Sequence, residues 1–308
     1  MRHIVWYAVL FLLCFPGKRS SEMSNFIIMT DSTTDFDREF YEKTGVFHHP
    51  HGFVIDGKEY KDIFWTAMSS DDYCTALGNG ALITTSMPEM ALVEERAEAA
   101  FKEGKDAMYI SFSAQLSGTF NMASVVAADL MGKYPGRTMR VVDSRCASQG
   151  QGILVQMAVR MRDEGKSVNE TADFLETERG NIYHFFTVDD LMHLKRGGRL
   201  SATSAVMGTL IGIKPVLHMS KEGKLEAIGK VRGRHNAINE IVKMALEKYG
   251  EGSGVVHILH VGCEDAGKQV EQKLLDGGVK ETHLYQLGPA ISAHVGIGTV
   301  GILVREAK

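Results

Sequence analysis

The sequence predicts an α/β protein of two lobes, the first with a mainly parallel sheet flanked by helices, the second with a mixed sheet. Three observations lead there. The chain has 308 residues, more than one core usually holds. Apolar runs of strand length alternate with longer amphipathic stretches through the first half. Two helices then follow one another without a strand near residues 164–168, and a hairpin enters the pattern. The expected units are 24–165 and 166–308, behind a segment 1–23 treated below.

The first lobe's strand candidates are "FIIMT" (26–30), "GFVI" (52–55), "ALITTS" (81–86), "AMYISFS" (107–113) and "MRVVDS" (139–144). Between them "DREFYEKTG", "SSDDYCTALG", "PEMALVEERAEAAFKEG" and "GTFNMASVVAADLMGKY" carry helical periodicity. For the third of these, Ser86 reads as an N-cap, Pro88 as a first-turn proline and Gly104 as the stop. "QGILVQMAVRMRDEG" and "SVNETADFLETERG" are the successive helices. Beyond them the strand candidates are "YHFFTV", "IKPVLHM", "KLEAIGKV", "GVVHILHV", "THLYQLG" and "GTVGILVRE". Helices are expected at "SATSAVMGTLIG", "RHNAINEIVKMALEKYG" and "DAGKQVEQKLLDGG". "HMSKEGKLEAIG" folds back about Glu222 and Gly223 as a hairpin, which makes the second sheet mixed.

Charged residues make up 23% of the chain and the net charge is -4, so no electrostatic case exists for nucleic acid or an anionic membrane surface. Cys14, Cys74, Cys146 and Cys263 are scattered without a C-x-x-C pair, which points to neither a zinc site nor a disulfide framework and fits a reducing cytoplasm. "MRHIVWYAVLFLLCFPG" has a basic start and a short apolar run of signal-peptide length, too short for comfortable membrane insertion. No small-x-small cleavage site follows it. Met23 stands just before the first strand, so translation is expected to begin there, a signal or anchor being the alternative.

In open α/β sheets ligands sit beyond the carboxyl ends of strands. Those ends read "TDSTTDF", "TTSMPE", "SFSAQLSGTFN" and "DSRCASQGQG". In the third, Ser117, Gly118 and Thr119 lead into a helix, where hydroxyls and backbone N–H groups favour an anionic oxygen group: a phosphate, an oxyanion or a carboxylate. Each Ser, Thr or Asp could equally be a plain helix cap. Asp31 with Ser32 either supports the Ser117 loop or caps the following helix. His48, His49 and His51 lack Cys, Asp or Glu at ligand spacing and read as an exposed turn. Ser117 with His294 and Asp31 or Asp143 could form an acyl-transfer triad, although "LSGTF" lacks the G-x-S-x-G elbow. A nucleotide site at the same strand tips would want G-x-x-x-x-G-K-[ST] or G-x-G-x-x-G, and neither occurs.

"IIMTDSTTDF", "TTSMPE", "FSAQLSGTFNMA", "VVDSRCASQGQG", "LKRGGRLSATSAVMGTLIGIKPVLHMSKEGKL" and "GPAISAHVGIGTVGI" resemble, in order, the signature blocks of the DegV family over nearly all of 25–305. The resemblance implies a two-domain cytoplasmic bacterial protein that encloses one long-chain fatty acid. It would present the acyl carboxylate to a separate ATP-dependent fatty acid kinase, dihydroxyacetone-kinase-like, for acyl phosphate formation in phospholipid synthesis. By this likeness the chain is a carrier with no catalytic residue, metal or cofactor beyond the lipid. The carboxylate-holding positions fall on Thr85, Ser117, Gly118, Thr119 and His294. Asp31, Ser32, Ser86, Asn121, Arg196 and Arg199 take supporting or partner-facing places. The chain departs from the family's pattern at Ile297, where proline is usual, and at Met87 and Glu89, where a smaller polar pair is common.

Such a role is physically coherent. At about 0.8 kcal/mol per buried methylene, roughly 14 methylenes supply on the order of 11 kcal/mol gross, so the tail can carry affinity while neutral donors orient the head. Met192, Met207 and Met219 are candidates for an adaptable lining.

Overall fold

The computed structural model describes residues 26–200 and 212–307. Segment 1–23 and the expected helix at "SATSAVMGTLIG", with Met207, lie outside the described residues except for Gly212.

A four-stranded parallel sheet contains β1 (Phe26–Asp31), β2 (Phe47–His49), β6 (Asp106–Ser111) and β7 (Met139–Asp143), in the order β2-β1-β6-β7. β1, β6 and β7 are largely apolar because both faces are covered. Met29, Ala107 and Tyr109 meet α3 (Met90–Lys102) and α4 (Thr119–Lys133) through Phe101, Val126 and Leu130. Ile28, Met108 and Ile110 face α5 (Gln149–Asp163) and α6 (Val168–Glu178) through Leu154, Ala172 and Leu175. Helix α1 (Arg38–Thr44) starts at Asp37, whose carboxylate caps Phe40 N at 2.9 Å.

Two of the expected first-lobe strands are not in that sheet. β3 (Gly52–Ile55) is the centre and β5 (Ile83–Ser86) an edge of a small antiparallel sheet, order β4-β3-β5, with β4 spanning Lys58–Lys61. The cause is the Asp56-Gly57 pair: both have positive φ, 51° and 80°, and Ile55 pairs directly with Lys58, which is a two-residue hairpin. Ser86 is accordingly the last residue of β5, not a helix cap; α3 begins after Glu89 with no side-chain cap. Helix α2 (Ser70–Gly78) follows β4, capped by Ser69.

The third sheet is mixed: β8 (Ile182–Thr187), β9 (Ile213–Met219), β10 (Leu225–Arg232), β11 (Val256–His260), β12 (Thr282–Gln286) and β13 (Val300–Arg305). Its order is β10-β9-β8-β13-β11-β12, with only β11 and β12 parallel. The β9–β10 hairpin turns at Gly223, φ 87°. One face packs on α8 (Arg234–Lys248) and α9 (Glu264–Asp276) through Ile241, Val242, Val270 and Leu274. The other shares a core with the small sheet and α2, bringing Phe186, Leu217 and Leu303 together with Phe53 and Tyr73. Two short helices, α7 (Met192–Arg196) and α10 (Pro289–Val295), edge this second core.

Candidate functional site

A cavity opens where the mixed sheet, the small sheet and the ends of β1 and β6 meet. Its lining is largely apolar, with Leu116, Phe186, Met219, Leu259, Ile291 and Leu303 among the walls, and the space between lining atoms, mouth included, is about 990 Å³. One group of polar lining residues comprises Thr85, Ser86, Ser117, Gly118, Arg199 and His294; Thr33, His51, Ser148, His184 and Thr299 also reach the wall.

The site is assembled from distant pieces of chain. Thr85 is the next-to-last residue of β5, and His294 sits in the last turn of α10; Thr85 Oγ1 and His294 Nε2 are 2.8 Å apart. Backbone at Gly197 lies so near that a Cβ there would stand 2.4 Å from His294 Nδ1, which accounts for one glycine of the R-G-G-R block. Burial, then Arg199 and His51, hold the His294 imidazole down to about 4, so it is neutral near pH 7. Ser117 precedes α4, and its hydroxyl meets Thr119 Oγ1 at 2.8 Å and accepts from Thr119 N at 3.3 Å. Arg199 Nε donates to Leu116 O at 3.1 Å and its guanidinium also reaches Gly197 O. A cation therefore stands at the mouth, where the sequence reading looked to neutral donors alone.

The other expected residues divide. Thr119 is buried behind Ser117 and does not line the cavity; Asn121 is exposed and lies apart from it. Arg196 is exposed in an outer groove that shares Thr85, Arg199 and His294 with the cavity. Asp31 plays both parts weighed for it: it caps the short turn after β1 by accepting from Thr33 N at 3.1 Å, and it accepts from Phe112 N at 3.2 Å in the β6–α4 loop. Ser32 stands beside it and accepts from His51 N at 3.1 Å. Met219 lines the cavity, while Met192 is 40% exposed and does not. The Ser117–His294 contact that an acyl-transfer triad requires is absent among the described residues, since both groups are bonded to threonine hydroxyls.

The histidine cluster is a correction. His48 and His49 belong to β2, and His49 and His51 are each 5% exposed. Their rings do the work of aromatic side chains: His48 lies against Tyr41 and Phe64, and His49 against Tyr109. His51 lines the cavity, with its Nδ1 at 3.5 Å from Ser32 Oγ. Burial lowers all three imidazoles. No group of three or more His, Cys, Asp or Glu that could hold a metal occurs among the described residues.

Behind the lining are residues the sequence reading missed. Thr33 and Ser148 reach the cavity wall, and Ser148 Oγ bonds Asp35 and Tyr285, the latter at 2.8 Å. Asp35 accepts from Gly288 N at 3.1 Å, and Asp62 takes hydrogen bonds from Ser32 and from Ala290 N. Ser148 was within reach of the sequence, in "DSRCASQGQG" at a strand end. Thr33 and Asp35 were likewise within reach, in "TDSTTDF", whereas Asp62 lies in no such strand end and meets α10 only through the fold.

Comparison with known proteins agrees with this geometry. The model of the DegV family, described as uncharacterised proteins, matches residues 25–307. A DegV domain-containing protein of Clostridium perfringens is 33% identical over 282 residues, covering 91% of this chain and 97% of its own. Among solved structures, a fatty-acid-binding DegV family protein of Thermus thermophilus superposes with a TM-score of 0.81 at 33% identity, over 92% of this chain and 100% of the other. A fatty-acid-binding DegV family protein of Streptococcus agalactiae gives 0.82 at 28% identity, over 92% and 99%. With the family model matched over residues 25–307 and a relative 33% identical over nearly its whole length, the chain belongs to the DegV family.

Proposed function

We propose that this protein binds one long-chain fatty acid in the cavity, tail along the apolar walls and carboxylate at Thr85, Ser117 and His294, and presents that carboxylate to a separate ATP-dependent fatty acid kinase. The observation that carries the reading is the cavity itself: apolar over most of its lining and polar where Thr85 and His294 meet. Relatives of the same fold described as fatty-acid-binding support it. Thr119 would orient the Ser117 hydroxyl, Gly118 would supply backbone, and Arg199 would balance the carboxylate's charge. Asp31 and Ser32 would brace the loops, Ser86 would border the mouth, and Arg196 would face the kinase from the outer groove. Asn121, exposed, would act at that partner surface if at all. The role is that of a carrier subunit in the bacterial cytoplasm, where ATP is found, and it needs no catalytic residue of its own. The two-unit division belongs to the same proposal, with the cut moved toward residue 180 because α6 packs in the core of the parallel sheet.

Denaturing mass spectrometry of the purified protein should find about one fatty acid per chain. Ser117→Ala and His294→Ala should keep that lipid, since the tail supplies most of the binding energy, while losing acyl phosphate formation with the kinase. Variants that emptied the cavity would refute this division of labour.

A further inference from the structure

Among the described residues, one large apolar side chain of the cavity wall also belongs to the surface. Met87 lines the cavity and is 44% exposed. It follows Thr85 and Ser86 at the end of β5, and its thioether lies across the gap to the β6–α4 loop: a Cβ on Gly118 would stand 2.7 Å from Met87 Sδ and 3.6 Å from its methyl carbon. The sulfur thus rests on the bare backbone of Gly118, next to Ser117, and spans the two loops that carry the head-group hydroxyls. Nothing about the backbone requires glycine there. Gly118 has φ -75° and ψ 0°, ordinary helical values, so what a side chain would disturb is the seat of Met87.

Resting on the fatty-acid reading, we propose that Met87 is a shutter over the carboxylate site, seated on Gly118, that sets the rate at which the bound fatty acid enters and leaves. An apolar, unbranched side chain suits this. It keeps water from the hydroxyl and imidazole donors when closed, which strengthens their hydrogen bonds to a carboxylate, and its three rotatable bonds let it swing out without moving backbone. Seated on glycine, it is held by van der Waals contact alone, and such contacts are individually small. The position therefore influences the height of the exchange barrier more than the depth of the bound state, which the apolar walls determine.

The test is stopped-flow displacement of cis-parinaric acid, a fluorescent fatty acid, by excess oleate, together with equilibrium titration of the same probe. Met87→Ala should raise the association and dissociation rates together, by roughly threefold or more as the contacts of the lost thioether go, leaving the dissociation constant within about twofold. Gly118→Ala should raise both rates too, because its methyl group displaces Met87 from the other side. Met87→Leu, apolar and of similar size, should restore slow exchange. Wild-type rates in Met87→Ala, or a loss of affinity through dissociation alone, would overturn the shutter while leaving the fatty-acid reading in place. A wild-type protein that takes up no probe after delipidation would remove that reading and the shutter with it.

Discussion

Helix α10 offers a comparison within one short element, because its two ends meet the interior with opposite chemistry. At its start, Gly288 N and Ala290 N donate to the carboxyl groups of Asp35 and Asp62. At its end, His294 meets Thr85 at the cavity mouth. The partial positive charge of a helix start favours a carboxylate by about 0.3–1 kcal/mol, whereas burying one costs several kcal/mol. Burial wins. It pushes Asp62 up to about 7, with Asp31 adding to the shift, and Asp35 well above the usual carboxyl range, with Asp62 and Asp31 adding to it. Burial at the other end drives His294 down to about 4. Desolvation keeps both ends near neutral charge, one by retaining a proton and the other by refusing it. A neutral imidazole beside the Arg199 guanidinium can orient an acidic guest, and protonated carboxyl groups at the start of α10 keep the helix that carries His294 in place.

The comparison breaks most sharply at Asp62. In the folded protein it holds its proton up to about 7, while in the unfolded chain it ionises near 3.8. The folded state therefore binds the extra proton between those values, and the stability due to this group is lost as pH rises through the window. Asp62→Asn, which keeps a donor without the ionisation, should raise stability at pH 8 by a few kcal/mol relative to wild type and make no gain at pH 4. Urea unfolding at the two pH values measures it. Equal differences at both would mean that Asp62 is charged in the folded protein. Buried histidines slope the other way, but they are common to both proteins and cancel in the difference.

A second break is steric. Gly288 has φ -63°, which alanine adopts freely, yet a Cβ there would stand 2.5 Å from Asp35 Oδ1. Gly288→Ala should cost about 2 kcal/mol by overpacking alone, read as a lowered midpoint in thermal or urea unfolding, and the loss should persist at all pH values, unlike that of Asp62. Were it pH-dependent, the clash would be displacing the carboxyl instead of straining the helix.

How much of this was open to the sequence follows from where each signal resides. The parallel sheet was legible in β1, β6 and β7, which are largely apolar and alternate with helix-length amphipathic stretches, but not in β2, whose histidines look polar. The small sheet was not, because the two-residue turn at Asp56 and Gly57 was passed over and "KEYK", with three of its four residues charged, does not look like a strand. Thr85, Ser117 and His294 were found through motif resemblance; their meeting depends on contacts such as the one between residues 85 and 294, which no local pattern encodes. The histidines of "HHPH" misled for a physical reason. A neutral imidazole can stack like a phenyl ring once buried, and composition counts it as polar.

The smallest effect expected is the most informative about the mouth. Thr85→Val keeps the shape of the side chain and removes only the hydroxyl that meets His294 Nε2. A neutral pair of this kind is worth about 1 kcal/mol, whereas a hydrogen bond to a charged imidazolium would be worth about 1.5–3 kcal/mol. Because His294 titrates at about 4, the loss measured by urea unfolding at pH 7 should sit at the lower figure, and the bound lipid should remain. A loss of several kcal/mol at pH 7 would mean that the histidine carries a proton there. A second cation would then join Arg199 at the mouth, and the two ends of α10 would no longer be governed by the same rule.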